Sequence, residues 1–174
     1  QITGTYADVE HVYVSGKAGF SNLGNETVTI INNPVAPNTA ADIDKILAAT
    51  TGVVTASVTA SAASDLVANL KNAKNDALSL VITATETKAS DLKALDAKTT
   101  VKIDADSISK LVGNAADVKA VLASSGVDFG AAPAVVVDVT GTISAADANT
   151  IALNANAGVV TATVKADTAA KLND

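Results

Sequence analysis

The chain holds one histidine, His11, beside Glu10 and three places after Asp8. Acid–base or zinc chemistry would have to rest on these side chains. A zinc site gathers about three or four nitrogen, sulfur or oxygen ligands at one point. On a helix, positions 8, 10 and 11 do not share one face, and no cysteine is present to complete a set. His11 is therefore read as a surface or partly buried helix residue.

Carboxylates offer the next chemistry. Asp104 and Asp106 fall on the outward positions of a strand-like run, and Asp138 on a run that could lie beside it. Stacked carboxylates can hold calcium, a hard cation that prefers oxygen ligands. Beside Lys102 they equally form a solvated patch, and no glycine–aspartate nonapeptide of the calcium-roll type appears. Calcium at Asp104, Asp106 and Asp138 is thus the one metal candidate, and no other cofactor is expected. Paired carboxylates also serve glycoside hydrolysis. With two Tyr, two Phe and no Trp, the chain lacks the aromatic platforms of a sugar cleft. No residue is expected to be catalytic, and the chain is read as not an enzyme.

Hydroxyls are the third group. Thr55, Ser57 and Thr59, with Thr83, Thr85 and Thr87, suggest rows like those of ice-binding solenoids. Threonine is also what any exposed strand prefers, and Lys102, Asp104, Asp138 and Lys165 interrupt the array. Asn25-Glu26-Thr27 has the form of a glycosylation acceptor and is read as accidental. Gly4-Thr5 and Gly113-Asn114 are turn signals, not phosphate loops.

The elements that must position these side chains are written more than once. Gly52-Val53-Val54-Thr55-Ala56-Ser57-Val58 returns 106 places on as Gly158-Val159-Val160-Thr161-Ala162-Thr163-Val164, each behind an Ala-Ala-Asp lead-in at 40–42 and 145–147. Gly4, Ala7, Asp8, Val9, Val12, Ser15 and Phe20 recur 109 places on as Gly113, Ala116, Asp117, Val118, Val121, Ser124 and Phe129. The chain is read as a single repeat domain over 1–174, with a large unit at 1–106 and part of a second at 107–174. Inside each unit, strand-like runs begin near Thr27, Val53, Leu78, Val101, Pro133 and Val159, mostly 23 to 26 residues apart. A period of that size is the signature of a solenoid.

Within the runs, apolar and polar residues alternate. Val54, Ala56 and Val58 oppose Thr55, Ser57 and Thr59; Leu80, Ile82 and Ala84 oppose Val81, Thr83 and Thr85. Val101 and Ile103 oppose Lys102 and Asp104; Val135, Val137 and Val139 oppose Val136, Asp138 and Thr140; Val160, Ala162 and Val164 oppose Thr161, Thr163 and Lys165. Period two with one apolar face predicts half-buried strands. Between them Ile43, Ile46 and Leu47, then Leu66 and Leu70, Leu92 and Leu95, and Val118, Val121 and Leu122 fit helix faces. Asn38-Thr39, Ser61, Ser64, Ser90 and Ser144 are the expected caps, and Thr50-Thr51-Gly52, Ser124-Ser125-Gly126 and Gly158 the expected stops. Short strand–helix–strand spacing predicts parallel strands. Val54, Ile82, Ile103, Val137 and Val160 are expected on one common ladder. Residues 17 to 38 break the rhythm around a short strand from Thr27 to Ile31, and Ala131-Ala132-Pro133 is the shorter counterpart of that loop.

Composition bounds the partners. Hydrophobic residues make up 48% of the 174, so with few rings the core must be Val, Ile, Leu and Ala. The net charge is -6 and every basic residue is Lys. Without Arg, the usual bidentate reader of phosphate and guanine, nucleic acid is not an expected partner. No apolar run approaches the ~18 residues of a membrane span. The start at Gln1-Ile2-Thr3-Gly4 falls mid-pattern with no signal peptide, as expected of a mature or excised piece of something longer.

Ile2-Thr3-Gly4-Thr5-Tyr6-Ala7-Asp8-Val9, then Gly19-Phe20-Ser21-Asn22-Leu23-Gly24-Asn25-Glu26-Thr27-Val28-Thr29-Ile30, with the helix end Ser124-Ser125-Gly126, resembles a known repeat. It is similar to the Thr/Ala-rich tandem repeats of very large surface or secreted proteins of marine cyanobacteria. His11-Val12-Tyr13-Val14 and Pro34 to Asn38 depart from that pattern. The resemblance implies an extracellular structural role and no catalytic residues. The expectation is therefore an α/β solenoid of strand–helix repeats, with a parallel sheet on one face and short helices on the other. It would serve as a structural module at the cell surface, a stalk, coat or filament element whose partners are copies of itself or flanking repeats. The alternative is a binding module using the Thr/Asp outer sheet face for calcium, glycan or ice.

Overall fold

Short strand runs alternating with helices bring the chain back to the same end before the next cycle begins, and parallel pairing follows. The computed structural model describes residues 1–33, 35–130, 134–154 and 156–166. In chain order they form β1 (Ile2–Thr5), α1 (Tyr6–Glu10), a π-helical turn (His11–Ser15), a 3-10 turn (Lys17–Gly19), β2 (Val28–Ile31), α2 (Ala40–Ala49), β3 (Val54–Ser57), α3 (Ala63–Asn69), β4 (Ala77–Ser79), β5 (Glu86–Lys88), α4 (Ala89–Asp96), β6 (Ile103–Asp104), β7 (Lys110–Gly113), α5 (Ala115–Ala123), β8 (Val127–Asp128), β9 (Val135–Ile143), α6 (Ala145–Ala152) and β10 (Ala157–Val164). Every described strand pair is parallel. One open sheet runs β1-β2-β3-β4, a second β10-β9-β7-β5, and a third joins β6 to β8. Single bridges, Asp76↔Thr99 and Val81↔Asp104, carry the first sheet on toward β6. The fold is α/β, with parallel sheets and helices, as the spacing predicts. Consecutive helices also pack on one another, from α1 on α2 to α5 on α6.

The alternation decides which side chains face inward. Val54, Ala56 and Val58 are buried and Thr55, Ser57 and Thr59 exposed; Val135, Val137 and Val139 are buried as well. The predicted helix faces are covered, with Ile43, Ile46, Leu47, Leu66, Leu70, Leu92, Leu95, Val118, Val121 and Leu122 in one cluster with the inward strand residues. Each fully buried Leu, Ile or Val contributes about 1.5–3 kcal/mol relative to exposure. The pattern fails at particular positions. Val101 is exposed, and on β10 Val160 and Ala162 are only half-buried while Val164 is exposed. Thr87, expected on the outer row, is buried at 6% exposure.

The common ladder does not form. Val54 lies in the first sheet, Ile103 in the third, Val137 and Val160 are partners in the second, and Ile82 is bridged to Ser61. The reason is a second strand in some strand–helix cycles. β5 and β7 run straight into α4 and α5 and pair with each other, Thr87 opposite Leu111. Each is three or four residues long and offers little for a period-two pattern to catch. Ala131-Ala132-Pro133, with the strand start placed at Pro133, lies outside the described residues, as does Pro34.

The helix ends differ from expectation in their chemistry. Thr39 and Ser144 cap α2 and α6 as predicted, and Thr5 and Asn114 cap α1 and α5, each accepting from the amide of an Asp three residues on. Ser61, Ser64 and Ser90 are not caps; Ala62 and Lys88 occupy the cap positions of α3 and α4 and provide no side-chain bond. At the exits, Thr50, Thr99, Ser124 and Asn154 each accept from the amide two residues on, at 3.0–3.1 Å. These side-chain turns replace the left-handed glycine cap. Gly52 and Gly158 serve another need: a Cβ at Gly52 would overlap the Glu26 carbonyl, and one at Gly158 would sit 2.8 Å from the Ala134 oxygen. The repeated glycine marks where one strand's backbone passes close to the strand before it.

Candidate functional site

Parallel pairing puts side chains of equal parity in rows across the outer face. Thr3, Thr29 and Thr55 stand in register across β1, β2 and β3, and Ala77 ends the row on β4; Ser57 stands opposite Ser79. The Gln1 amide donates to the Thr29 hydroxyl at 3.3 Å. The row the structure makes therefore runs Thr3–Thr29–Thr55, and only Thr55 among these belonged to the expected set. Register, set by loop length, is what the sequence leaves unread.

The same holds for the carboxylates. Asp104 on β6 faces Asp128 on β8, a residue that sequence reasoning did not single out. Asp106 lies two residues on, its amide bonded to the Asp104 carboxylate at 3.2 Å, and the Asp128 carboxylate accepts from the Gly130 amide at 3.1 Å. Asp138 is not part of this group. It sits on β9 in the second sheet, 3.7 Å from the Lys110 ammonium, which also pairs with Glu86 at 3.1 Å. The Gly130 amide first, and then Lys102 at 3.2 Å, hold the Asp128 carboxyl below the usual range. Glu86 does most to raise the Lys110 ammonium above its ordinary value. Among the described residues no group of three or more His, Asp or Glu is placed to hold a metal ion. The acidic outer face is laced by lysines from neighbouring strands.

His11 is exposed in the π-helical turn, its Nδ1 3.4 Å from the Ser15 hydroxyl, and Ser15 bonds Glu10 at 2.9 Å. Asp8 is turned away from it, accepting from the Thr5 amide and hydroxyl at 3.0 and 2.6 Å. The trio does not converge. Asn25 is exposed, next to a Glu26 side chain engaged by Tyr13 and Gly24.

On the helical side the structure shows a device that the sequence reading missed. Lys93 of α4 reaches Asp117 of α5 at 2.7 Å, and Lys119 of α5 bonds Asp147 of α6. Each Asp is the residue whose amide is held by its own helix cap. Lys93 and then Asn114 lower the Asp117 pKa; Lys119 and then Ser144 lower that of Asp147. The signal was present as an Asp three places after each cap, with a Lys two places after Asp91 and Asp117.

The hollows are shallow in chemistry. One of about 280 Å³ lies between α3, β5 and α4, with Glu86, Lys88 and Asp91 at its wall; another of about 290 Å³ lies beside the α2 exit, with Thr50, Lys74 and Asp76. Asp76 there is committed to the Val54 and Lys74 amides at 2.8 Å each. Among the described residues no helix is long and apolar enough to cross a membrane. Compared with known protein families, curated proteins and solved structures, the chain matches none.

Proposed function

We propose that the chain is a structural repeat module, an α/β solenoid whose successive strand–helix coils stack into a stalk, coat or filament element. The observation that carries this reading is the order of neighbours. β1 to β4 pair in sequence and in parallel, β5, β7, β9 and β10 do the same, and each helix packs on the next. In such an array each coil buries its neighbour's apolar face, and stability is shared between adjacent coils. The Lys–Asp rungs between α4, α5 and α6 support the same reading, because they join one coil to the next. Placement outside the cell, and kinship with cyanobacterial surface repeats, rest on the motif resemblance alone. Its partners are copies of itself or flanking repeats. Light scattering of the purified chain against concentration, with negative-stain microscopy, tests it: assembly into rods is expected, and a compact monomer at every concentration counts against it.

The Thr3–Thr29–Thr55 row favours a second reading, a flat hydroxyl surface for ice. Thermal hysteresis of the purified chain decides it; no hysteresis at millimolar protein removes it.

A further inference from the structure

The first and last strands in the chain, β1 and β10, each end a sheet and lack a partner on the outer edge among the described residues. Unpaired strand edges are templates for another chain. The interior of the molecule shows what kind of segment fits β1. Where β5 meets β7, Thr87 faces Leu111 and Lys88 faces Val112. One step further, Ala89 packs on Gly113 so closely that a Cβ on Gly113 would lie 2.9 Å from the Ala89 methyl. The glycine is the seat for the first helical residue after the neighbouring strand.

Ile2-Thr3-Gly4-Thr5 repeats Leu111-Val112-Gly113-Asn114 in the same role, a strand whose glycine stands directly before the residue that caps the next helix. At Gly4 the seat is empty. The three atoms nearest to a Cβ there all belong to Asp8, in the helix that follows, the first at 3.0 Å, and none to a neighbouring strand. At the other end of the chain, Val164-Lys165-Ala166 follows the order Thr87-Lys88-Ala89, and all three residues are exposed. Val164 shares the register parity of the inward residues of β10, and Ile2 is packed against the core. Leu153 and Val159, 78% and 70% exposed, give the same end of the molecule an apolar surface.

Resting on the stacking reading above, we propose that assembly is head to tail, the C-terminal end of one copy seating on the N-terminal face of the next. Val164 lies beside Ile2 of the second copy, Lys165 beside Thr3, and Ala166 on Gly4. The occupant is thus a second copy of this chain, and the contact repeats the β5–β7 junction. A contact of this type is heterologous and propagates, whereas β10 against β10 would close as a dimer and leave Gly4 unfilled.

The chain has no cysteine, so introduced thiols report the contact directly. Thr3→Cys and Lys165→Cys alter exposed side chains. Parallel neighbours lie about 4.8 Å apart, inside the roughly 4.4–6.8 Å that a disulfide spans. Equal amounts of the two single variants, oxidised gently at a concentration where the unmodified chain scatters as an assembly, should give mainly the mixed T3C–K165C dimer. The double variant should give a covalent ladder of oligomers. Only T3C–T3C and K165C–K165C products, from a chain that still assembles, overturn the head-to-tail contact and leave the stack standing. A chain that stays monomeric and does not cross-link overturns both.

Discussion

One carboxylate organises the irregular N-terminal segment. Glu26 Oε2 accepts from the Gly24 amide and from the Tyr13 hydroxyl, each at 2.8 Å. The Gly24 amide foremost, with the Tyr13 hydroxyl assisting, holds the Glu26 carboxyl down to about 2; burial, and then Glu26, pushes the Tyr13 phenol up to about 12. A depressed carboxyl stabilises the fold fully above its ordinary value of 4.5, and that stabilisation is lost as pH falls through about 2. Glu26→Gln should therefore lower the melting temperature at pH 7 and leave it level with the unmodified chain near pH 2. An equal offset at both pH values would mean that charge plays no part. For Tyr13 the sign reverses: its contribution is full below 10 and lost as pH rises toward about 12. Tyr13→Phe should cost about 1 kcal/mol at pH 7 in urea unfolding. The repeated glycines allow a second prediction at this scale. Gly52→Ala drives a methyl into the Glu26 backbone carbonyl, which cannot turn aside as a side chain would. It should cost roughly 1–3 kcal/mol, read from the urea midpoint. Gly158→Ala, facing the Ala134 oxygen at 2.8 Å, should cost less.

Helix ends are where the elements show unequal finish. Ala62 has the backbone of a cap, φ -65 and ψ 147, close to the φ -73 and ψ 155 of the capping Thr39, yet it offers no oxygen. Asp65 stands three residues on, in place to complete a capping box. Ala62→Ser should gain roughly 0.5–1 kcal/mol, whereas Ser144→Ala should lose about 1; melting curves of the two variants should move in opposite directions. Ala62 also shows how far elements can be read from sequence. α2 to α5 and β9 were legible because each carries an apolar face, as in Ile43, Ile46 and Leu47 or Val135, Val137 and Val139. The caps of α3 and α4 were not, because neighbouring serines outnumbered the Ala and Lys that backbone geometry places there. β5, β7 and β8 escaped for want of length. Among the candidate sites, the residue types were readable but their company was not. Whether Asp104 faces Asp128 or Asp138 depends on how many residues each loop spends, and loops carry no periodic signal.

The molecule as a whole has a protected middle and two exposed borders. Leu66, Leu78, Leu92, Ile103 and Leu111 are almost fully buried, while Leu153, Val159 and Val164 stand exposed near one end and Val14, Phe20 and Val35 near the other. β2, β3, β7 and β9 have strand neighbours on both sides; among the described residues β1 and β10 have one each, as do β4 and β5, with the first sheet carried past β4 by the Asp76↔Thr99 bridge. In a stack with nearest-neighbour coupling, opening begins where one neighbour is lacking. Native-state hydrogen exchange should then find the slowest amides in β3 and β7 and faster ones in β1 and β10. Leu92→Ala should cost about 2–5 kcal/mol and speed exchange in α3 and α5, the helices on either side of α4. Ile2→Ala, at the border, should speed exchange in β1 and β2 and leave α5 untouched. Assembly sharpens the test, because a head-to-tail contact supplies the missing neighbour. Raising protein concentration should slow exchange in β1 and β10 alone. Equal slowing along the whole chain would mean that it opens as one unit, and the coil-by-coil account of its stability would fail.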